Sequence, residues 1–372
     1  MTDPDLDRRR LLLHAAGIAA GATLAPGAAT GAPRAPQTRA RRRVIIDTDP
    51  GVDDALAIFL ALRSPELQVE AITPVAGNVG LELTLPNALR LLEIAGHKEI
   101  PVAAGAAQPL ERELVTAPAV HGNNGLAGVE FPQPTLKPVA ESAHQLIRRI
   151  VSTSPGEISL IAIGPLTNLA LAFREDPQLP AQLRDITIMG GSLSGGNITP
   201  AAEFNTYVDP EAAQIVYASG APITMVGLDV TRKAELTDAH IRTLEAARDP
   251  AGRAAGRIMR ATLATVQRTG GNNGRVLVHD AMTVAALIDP SLVRVESLRI
   301  EIETQGERTA GETVGYRKAP LRRSAPLRRS APLRGVPPKP EESRFQPNAR
   351  VALDVDAPRF LEFLVGRLTG TA

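Results

Sequence analysis

The strongest constraint on the fold is an alternation that runs through most of the chain. Short β-branched apolar runs take turns with stretches of helical spacing. Strands are expected at residues 44–47, 69–75, 101–104, 158–163, 185–189 and 223–226, and helices at 54–62, 86–95, 142–151, 166–173 and 210–219. Strands joined through helices need crossovers, and crossovers place strands parallel with helices on both faces. The expected fold is therefore α/β: a mainly parallel central sheet with helices on both faces, Rossmann-like, in a single domain. Ligands of such sheets bind beyond the carboxyl ends of the strands. Polar residues that directly follow a strand thus carry most of the functional weight.

Two segments break the alternation. Arg8, Arg9 and Arg10 precede Leu11, Leu12 and Leu13, and a small-residue apolar run continues to Leu24. This pattern is that of a twin-arginine export signal, with Ala/Gly/Pro-rich residues after it where cleavage could fall between Ala28 and Ala35. The run is too short for a transmembrane span, which needs about 20 apolar residues, so no stable membrane insertion is expected. The second exception is a hexad, Arg-Arg-Ser-Ala-Pro-Leu, at 322–327 and again at 328–333. Proline in each copy forbids a helix or a central strand, and the segment at about 317–342 is expected to be an exposed, disordered insertion. Residues 1–38 are accordingly assigned to an export signal and leader and 39–372 to one domain, and the mature protein is expected to be periplasmic or secreted.

Composition excludes several chemistries. The 372 residues include no Cys, which removes disulfides, thiolate metal sites and a cysteine nucleophile together. A formal net charge of +1 gives no global reason to bind nucleic acid. There is no Trp, so no indole can stack on a bound ring.

After the first expected strand the chain reads Asp47-Thr48-Asp49-Pro50-Gly51-Val52-Asp53-Asp54. Four carboxylates within eight residues at the end of a buried strand repel one another unless a cation sits among them. Hard oxygen donors select Ca²⁺ or Mg²⁺. Gly51 is expected to supply a tight turn, and Asp53 and Asp54 to lie in the first turn of a helix, where the dipole offsets part of their charge. A helix cap needs one such residue, not four.

This stretch resembles the N-terminal signature of the nucleoside hydrolases. Further segments fall in that family's order: Val75-Ala76-Gly77-Asn78-Val79, His121-Gly122-Asn123-Asn124-Gly125-Leu126, Ile163-Gly164-Pro165-Leu166-Thr167-Asn168, Asn197 with Ala202-Glu203-Phe204-Asn205, and His279-Asp280. The resemblance covers about residues 43–290 and weakens near 306–316. It implies hydrolysis of the N-glycosidic bond of ribonucleosides to ribose and free base, as in purine and pyrimidine salvage, and a homo-oligomer.

It also implies roles. Ca²⁺ would be held by Asp49, Asp54, the carbonyl of Ile163 and Asp280, with Asp47 orienting the cluster from behind. Asp49 would be general base to a calcium-bound water, through an oxocarbenium-like transition state. Asp53, Asn78 and Asn205 would bind the ribose 2′- and 3′-hydroxyls, and Asn197 and Glu203 the 5′-hydroxyl. His279 is the candidate acid for the leaving base, and His121 a candidate base contact. Met189 either floors the ribose pocket or is ordinary core, and Asn168 is read as a cap on the helix after Pro165. His14, His97, His144 and His240 are read as packed or surface residues. His279 in place of a stacking Trp inclines the expectation toward inosine and uridine.

Two other functions compete. Asp47-x-Asp49 after an apolar strand also resembles the nucleophile and acid of haloacid-dehalogenase-like phosphatases, but Gly51 stands where they prefer Thr or Val, and no later Lys stands out. A non-catalytic calcium-dependent sugar- or nucleoside-binding protein would keep the ligands and lack turnover.

Overall fold

The computed structural model describes residues 40–317 and 345–371. The proposed signal at 1–38 and the repeats at 322–333 lie outside the described residues. Among the described residues ten strands are formed: β1 (Arg42–Thr48), β2 (Leu67–Pro74), β3 (Ile158–Ala162), β4 (Asp185–Met189), β5 (Ile223–Val226), β6 (Glu235–Leu236), β7 (Val276–Leu277), β8 (Val293–Ile302), β9 (Thr313–Tyr316) and β10 (Ala349–Val355). Eight of them make one sheet in the order β2-β1-β3-β4-β5-β10-β8-β9, while β6 and β7 pair separately. Neighbours from β2 through β10 are parallel; β10–β8 and β8–β9 are antiparallel.

The apolar run in β1 follows from its place in the middle of this sheet. Val44 and Ile46 pack into the hydrophobic cluster on one face, with the helices Val52–Leu62, Pro250–Thr269 and His279–Ile288. Ile45 packs into the cluster on the other face, with Ala143–Thr153, Thr167–Glu175 and Pro210–Ala218. A strand covered on both faces has no side that must be polar, so it reads as continuous rather than alternating.

The order of the strands locates a crevice. From β1 the chain moves to β2 on one side, then crosses to β3 on the other. The connections that leave the carboxyl ends of β1 and β3 therefore diverge, and a cleft opens between them, the usual ligand position in an open parallel sheet.

Some expected boundaries differ. The helix expected at 86–95 begins at Leu81, with Pro86 inside it. Its first turn is tied down independently, with Thr84 Oγ1 donating to the Val75 carbonyl at 2.9 Å, so the bond that Pro86 cannot make is lost from an anchored end. At 101–104 a single bridge pairs Ile72 with Val102 instead of a strand. The helix Pro250–Thr269 closes on Gly270 in the left-handed conformation.

Candidate active site

Four carboxylates meet at the carboxyl ends of the central strands. Asp49 follows β1, Asp53 and Asp54 occupy the first turn of the helix Val52–Leu62, and Asp280 the first turn of His279–Ile288. All four are buried. One oxygen from each of Asp53, Asp54 and Asp280 falls within a sphere of mutual distances no greater than 4.8 Å. Two helix N-termini thus point their unpaired amides at the same cluster.

The Asp54 carboxylate is the most heavily tied. It accepts Thr48 Oγ1 at 2.6 Å on one oxygen, and Gly51 N and Asn78 Nδ2, both at 2.9 Å, on the other. Asp53 accepts the His279 backbone N–H at 3.1 Å, which locks the two helix starts together. Asp49 accepts the Asn78 N–H at 2.7 Å through Oδ2, while its Oδ1 is buried with no hydrogen-bond partner. Glycines enclose this carboxylate: a Cβ at Gly77 would stand 2.1 Å from Oδ2, and one at Gly164 2.8 Å from Oδ1. Gly51 has an ordinary extended backbone, φ −104°, so the tight-turn expectation is corrected. Glycine is needed there because a Cβ would lie 2.3 Å from His121 Nδ1 and 2.6 Å from Asn78 Nδ2.

Protonation follows from this burial. Loss of water raises Asp49 well above the ordinary carboxylate range, and Asp54 adds repulsion. Asp53 and Asp54 are each raised to about 6, chiefly by burial. Asp280 is likewise held high by burial and then by Asp53. Without a cation, the cluster holds protons that would otherwise leave.

Asp47 sits one layer deeper. Its Oδ2 accepts Thr73 Oγ1 at 2.7 Å and Asn168 Nδ2 at 2.9 Å, and its Oδ1 is a second buried oxygen without a partner. Burial raises it to about 7. Asn168 does not cap its helix, which begins at Thr167; its amide spans Asp47 and the Ala106 N–H, 2.8 Å away. The carbonyl of Ile163, just beyond β3, accepts Asn205 Nδ2 at 3.1 Å. The same amide reaches the Met189 carbonyl at 3.2 Å, so Asn205 joins Ile163 to Met189, while Asn78 Nδ2 donates to the Asp49 carbonyl at 3.1 Å.

The rim is made of loops. Glu203 caps the short helix Phe204–Val208 and accepts the N–H groups of Gly191, Asn205 and Thr206, all from its own surroundings. Asn197 is exposed and gives Oδ1 to the Phe204 N–H at 2.9 Å. His121 accepts the Val52 N–H on Nδ1 at 3.2 Å, which leaves its proton on Nε2. Burial, then the nearby His279, lowers it to about 3. His279 Nδ1 lies 2.7 Å from Thr231 Oγ1; burial, then Arg232, lowers it to about 4. Both rings are therefore neutral near pH 7. The supporting residues Thr73 and Thr231 were not singled out from the sequence, because each acts only through a partner distant in the chain.

The arrangement suits a hard cation: carboxylates from two separate segments, 49–54 and the start of His279–Ile288, converge, and the buried oxygen of Asp49 lacks a donor. Among the described residues no lysine joins Asp47 and Asp49 in their hydrogen-bond network, whose donors are Thr73, Asn168 and Asn78.

Comparison with known proteins agrees with this geometry. Residues 44–362 match the family described as inosine-uridine preferring nucleoside hydrolase. The chain is 44% identical over 273 residues, 73% of its own length and 88% of the other, to a pyrimidine-specific ribonucleoside hydrolase RihA of Photobacterium profundum. It is 40% identical over 325 residues, 87% of this chain and 97% of the other, to the protein of that name from Salmonella arizonae. Among solved structures it is similar to a plant nucleoside hydrolase, PpNRh1, with a TM-score of 0.78 and 35% identity over 88% of this chain and 99% of that one. A purine-preferring ribonucleoside hydrolase from Gardnerella vaginalis gives a TM-score of 0.77 and 31% identity over 88% and 98%. The chain belongs to the inosine-uridine preferring nucleoside hydrolase family, and is an enzyme that hydrolyses the N-glycosidic bond of ribonucleosides.

Proposed function

We propose that this hydrolase is calcium-dependent and acts by preference on pyrimidine ribonucleosides, uridine foremost. The observation that carries the metal is the buried carboxylate cluster of Asp49, Asp53, Asp54 and Asp280, in which Asp49 Oδ1 has no hydrogen-bond donor. Asp49, Asp54, Asp280 and the Ile163 carbonyl would hold Ca²⁺, with Asp53 beside them. When bound, the cation would acidify water and polarise the vicinal hydroxyls of ribose.

The chain's own groups divide the remaining work. Asp49 takes the proton of the attacking water, for which its unpartnered Oδ1 is available. Asn78 and Asn205 both commit Nδ2 to protein carbonyls, so each presents Oδ1 to accept from a ribose hydroxyl. Asp53 is a third acceptor. Glu203 and Asn197 meet the 5′-hydroxyl, and Met189 lies under the sugar. As the glycosidic bond breaks, positive charge develops on the ribose, and the carboxylate floor stabilises it. His279, neutral near pH 7 in the metal-free protein, would have to take up a proton in the bound complex before it passes one to the departing base, and His121 donates to the base through Nε2–H. Asp47 fixes the Asp49 loop from behind.

Pyrimidine preference is supported by the relatives at 40–44% identity, whose names specify pyrimidine ribonucleosides, and by the absence of Trp. Residues 1–38 serve as an export signal, on the strength of Arg8, Arg9 and Leu11 to Leu13, and residues 39–372 form the exported domain; the amino-terminal sequence of the mature protein from a periplasmic fraction tests both. The function itself is tested by ribose release from uridine, cytidine, inosine and adenosine, with and without chelator. Release that chelator stops and calcium restores, fastest with uridine, is expected. Release indifferent to chelator would remove the metal from the account.

A further inference from the structure

A short segment outside the cluster links the two sides of the rim. The helix Leu228–Thr231 and the following Arg232 touch the loop at 191–197 at successive points. Leu228 N–H donates to the Gly191 carbonyl at 3.0 Å, and Leu193 N–H to Asp229 Oδ2 at 2.9 Å. The Arg232 guanidinium then donates to the carbonyls of Gly195, at 3.2 Å, and of Gly196. These are the two residues immediately before Asn197.

The loop they hold has little room to move. Gly195 is in the left-handed region, and a Cβ at Gly196 would lie 1.9 Å from the Ala202 carbonyl. Asn197 and Gly196 N–H groups close back on the carbonyls of Ala202 and Pro200. Without Arg232, the tip would keep its own turn contacts, the Phe204 bond through Asn197 Oδ1 and the bridge of Ala202 to Glu312. The opposite end of the same segment supports the base side: Thr231 Oγ1 holds His279 Nδ1 at 2.7 Å.

We propose that Arg232 is a positioning residue that fixes the Asn197 loop against the histidine side of the crevice, so that recognition of the ribose 5′-hydroxyl depends on it. Arginine suits the task because one planar fork can satisfy two neighbouring carbonyls. The inference rests on the reading above that Asn197 and Glu203 meet the 5′-hydroxyl.

The test compares the nucleoside cleaved fastest with its 5′-deoxy analogue, in the full mature enzyme and in Arg232→Gln and Arg232→Lys. For Arg232→Gln, loss of the charge that acts on His279 changes kcat alike for both substrates, so the reading is their ratio: kcat/KM for the hydroxyl-bearing nucleoside should fall about 10-fold further than for the 5′-deoxy analogue, through KM. Arg232→Lys should recover most of that difference. Calcium affinity and Tm, read in parallel, should match the parent enzyme. Equal losses on both substrates, or no loss on either, would overturn the proposal, as would a parent enzyme indifferent to the 5′-hydroxyl. A parent enzyme that releases no ribose from any nucleoside would instead remove the underlying reading, and this one with it.

Discussion

The carboxylate floor of the crevice and its histidine rim are held in different ways. The floor is set by strand ends: Asp49 leaves β1, the Ile163 carbonyl leaves β3, and glycines at 77 and 164 let the chain press against Asp49 on two sides. Its residues are nearly inaccessible, and each anchor lies on an element with an extensive apolar face. The rim consists of short helices and loops: Pro118–His121, Phe204–Val208 and Leu228–Thr231, each of four or five residues. These segments are too short to be stable alone and are kept by a few tethers such as Thr231 to His279 and Arg232 to the Gly195 and Gly196 carbonyls. A rigid floor with a tethered rim suits an enzyme whose sugar is constant and whose base varies.

This contrast orders the expected effects. Asp49→Ala, which removes both a proposed cation ligand and the base, should lower kcat by at least about 10³-fold for every nucleoside alike. A loss that depends on the base would mean that floor and rim are not separable. His279→Ala should lower kcat for uridine by about 10²-fold, the usual scale for general acid catalysis, and should spare 4-nitrophenyl riboside, whose leaving group needs no proton. Equal damage to both substrates would assign His279 to the floor.

A smaller effect is expected one layer down. Asn168→Leu removes the donor to Asp47 and the acceptor for Ala106 N–H. Calcium affinity should fall about 10-fold, as for other residues that orient metal ligands, with kcat at saturating calcium nearly intact. Unchanged affinity would confine Asn168 to packing.

The smallest effect is on stability and pH. Asp53 and Asp54, at about 6, and Asp47, at about 7, are raised above the ordinary 3.8. The folded, metal-free chain then binds more protons than the unfolded one between about pH 4 and 7, and its stability falls as pH rises through that window. Its Tm should therefore decline by a few degrees from pH 5 to pH 7.5, and calcium should reverse the decline. A Tm that rises over the same window without metal would contradict the raised carboxylates.

Much of the floor was legible in the sequence because it is local. The four carboxylates of the 47–54 segment, the continuous apolar run before them and the parallel alternation all depend on neighbouring residues. Asp280 and Asn78 required the family resemblance, since nothing in their own surroundings says which loop they will face. The antiparallel extension of β8, β9 and β10 was not anticipated. Its strands, such as Val293–Ile302 with mixed burial, carry charges on exposed positions and lack a continuous apolar signal. Pro86 misplaced a helix start, because a proline at an expected first position also fits inside an anchored helix. The tethers of the rim were invisible for a simpler reason: Thr231 and His279 are 48 residues apart, and Arg232 and Gly196 are 36 apart.

If the buried carboxylates are assembled around a cation, calorimetric titration of chelator-stripped enzyme with calcium at pH 6.0 and 7.5 will show it. One tight ion per chain is expected, weaker at the lower pH, with protons released on binding because the raised carboxylates must ionise. Absence of binding at either pH, in enzyme that still releases ribose, would contradict it.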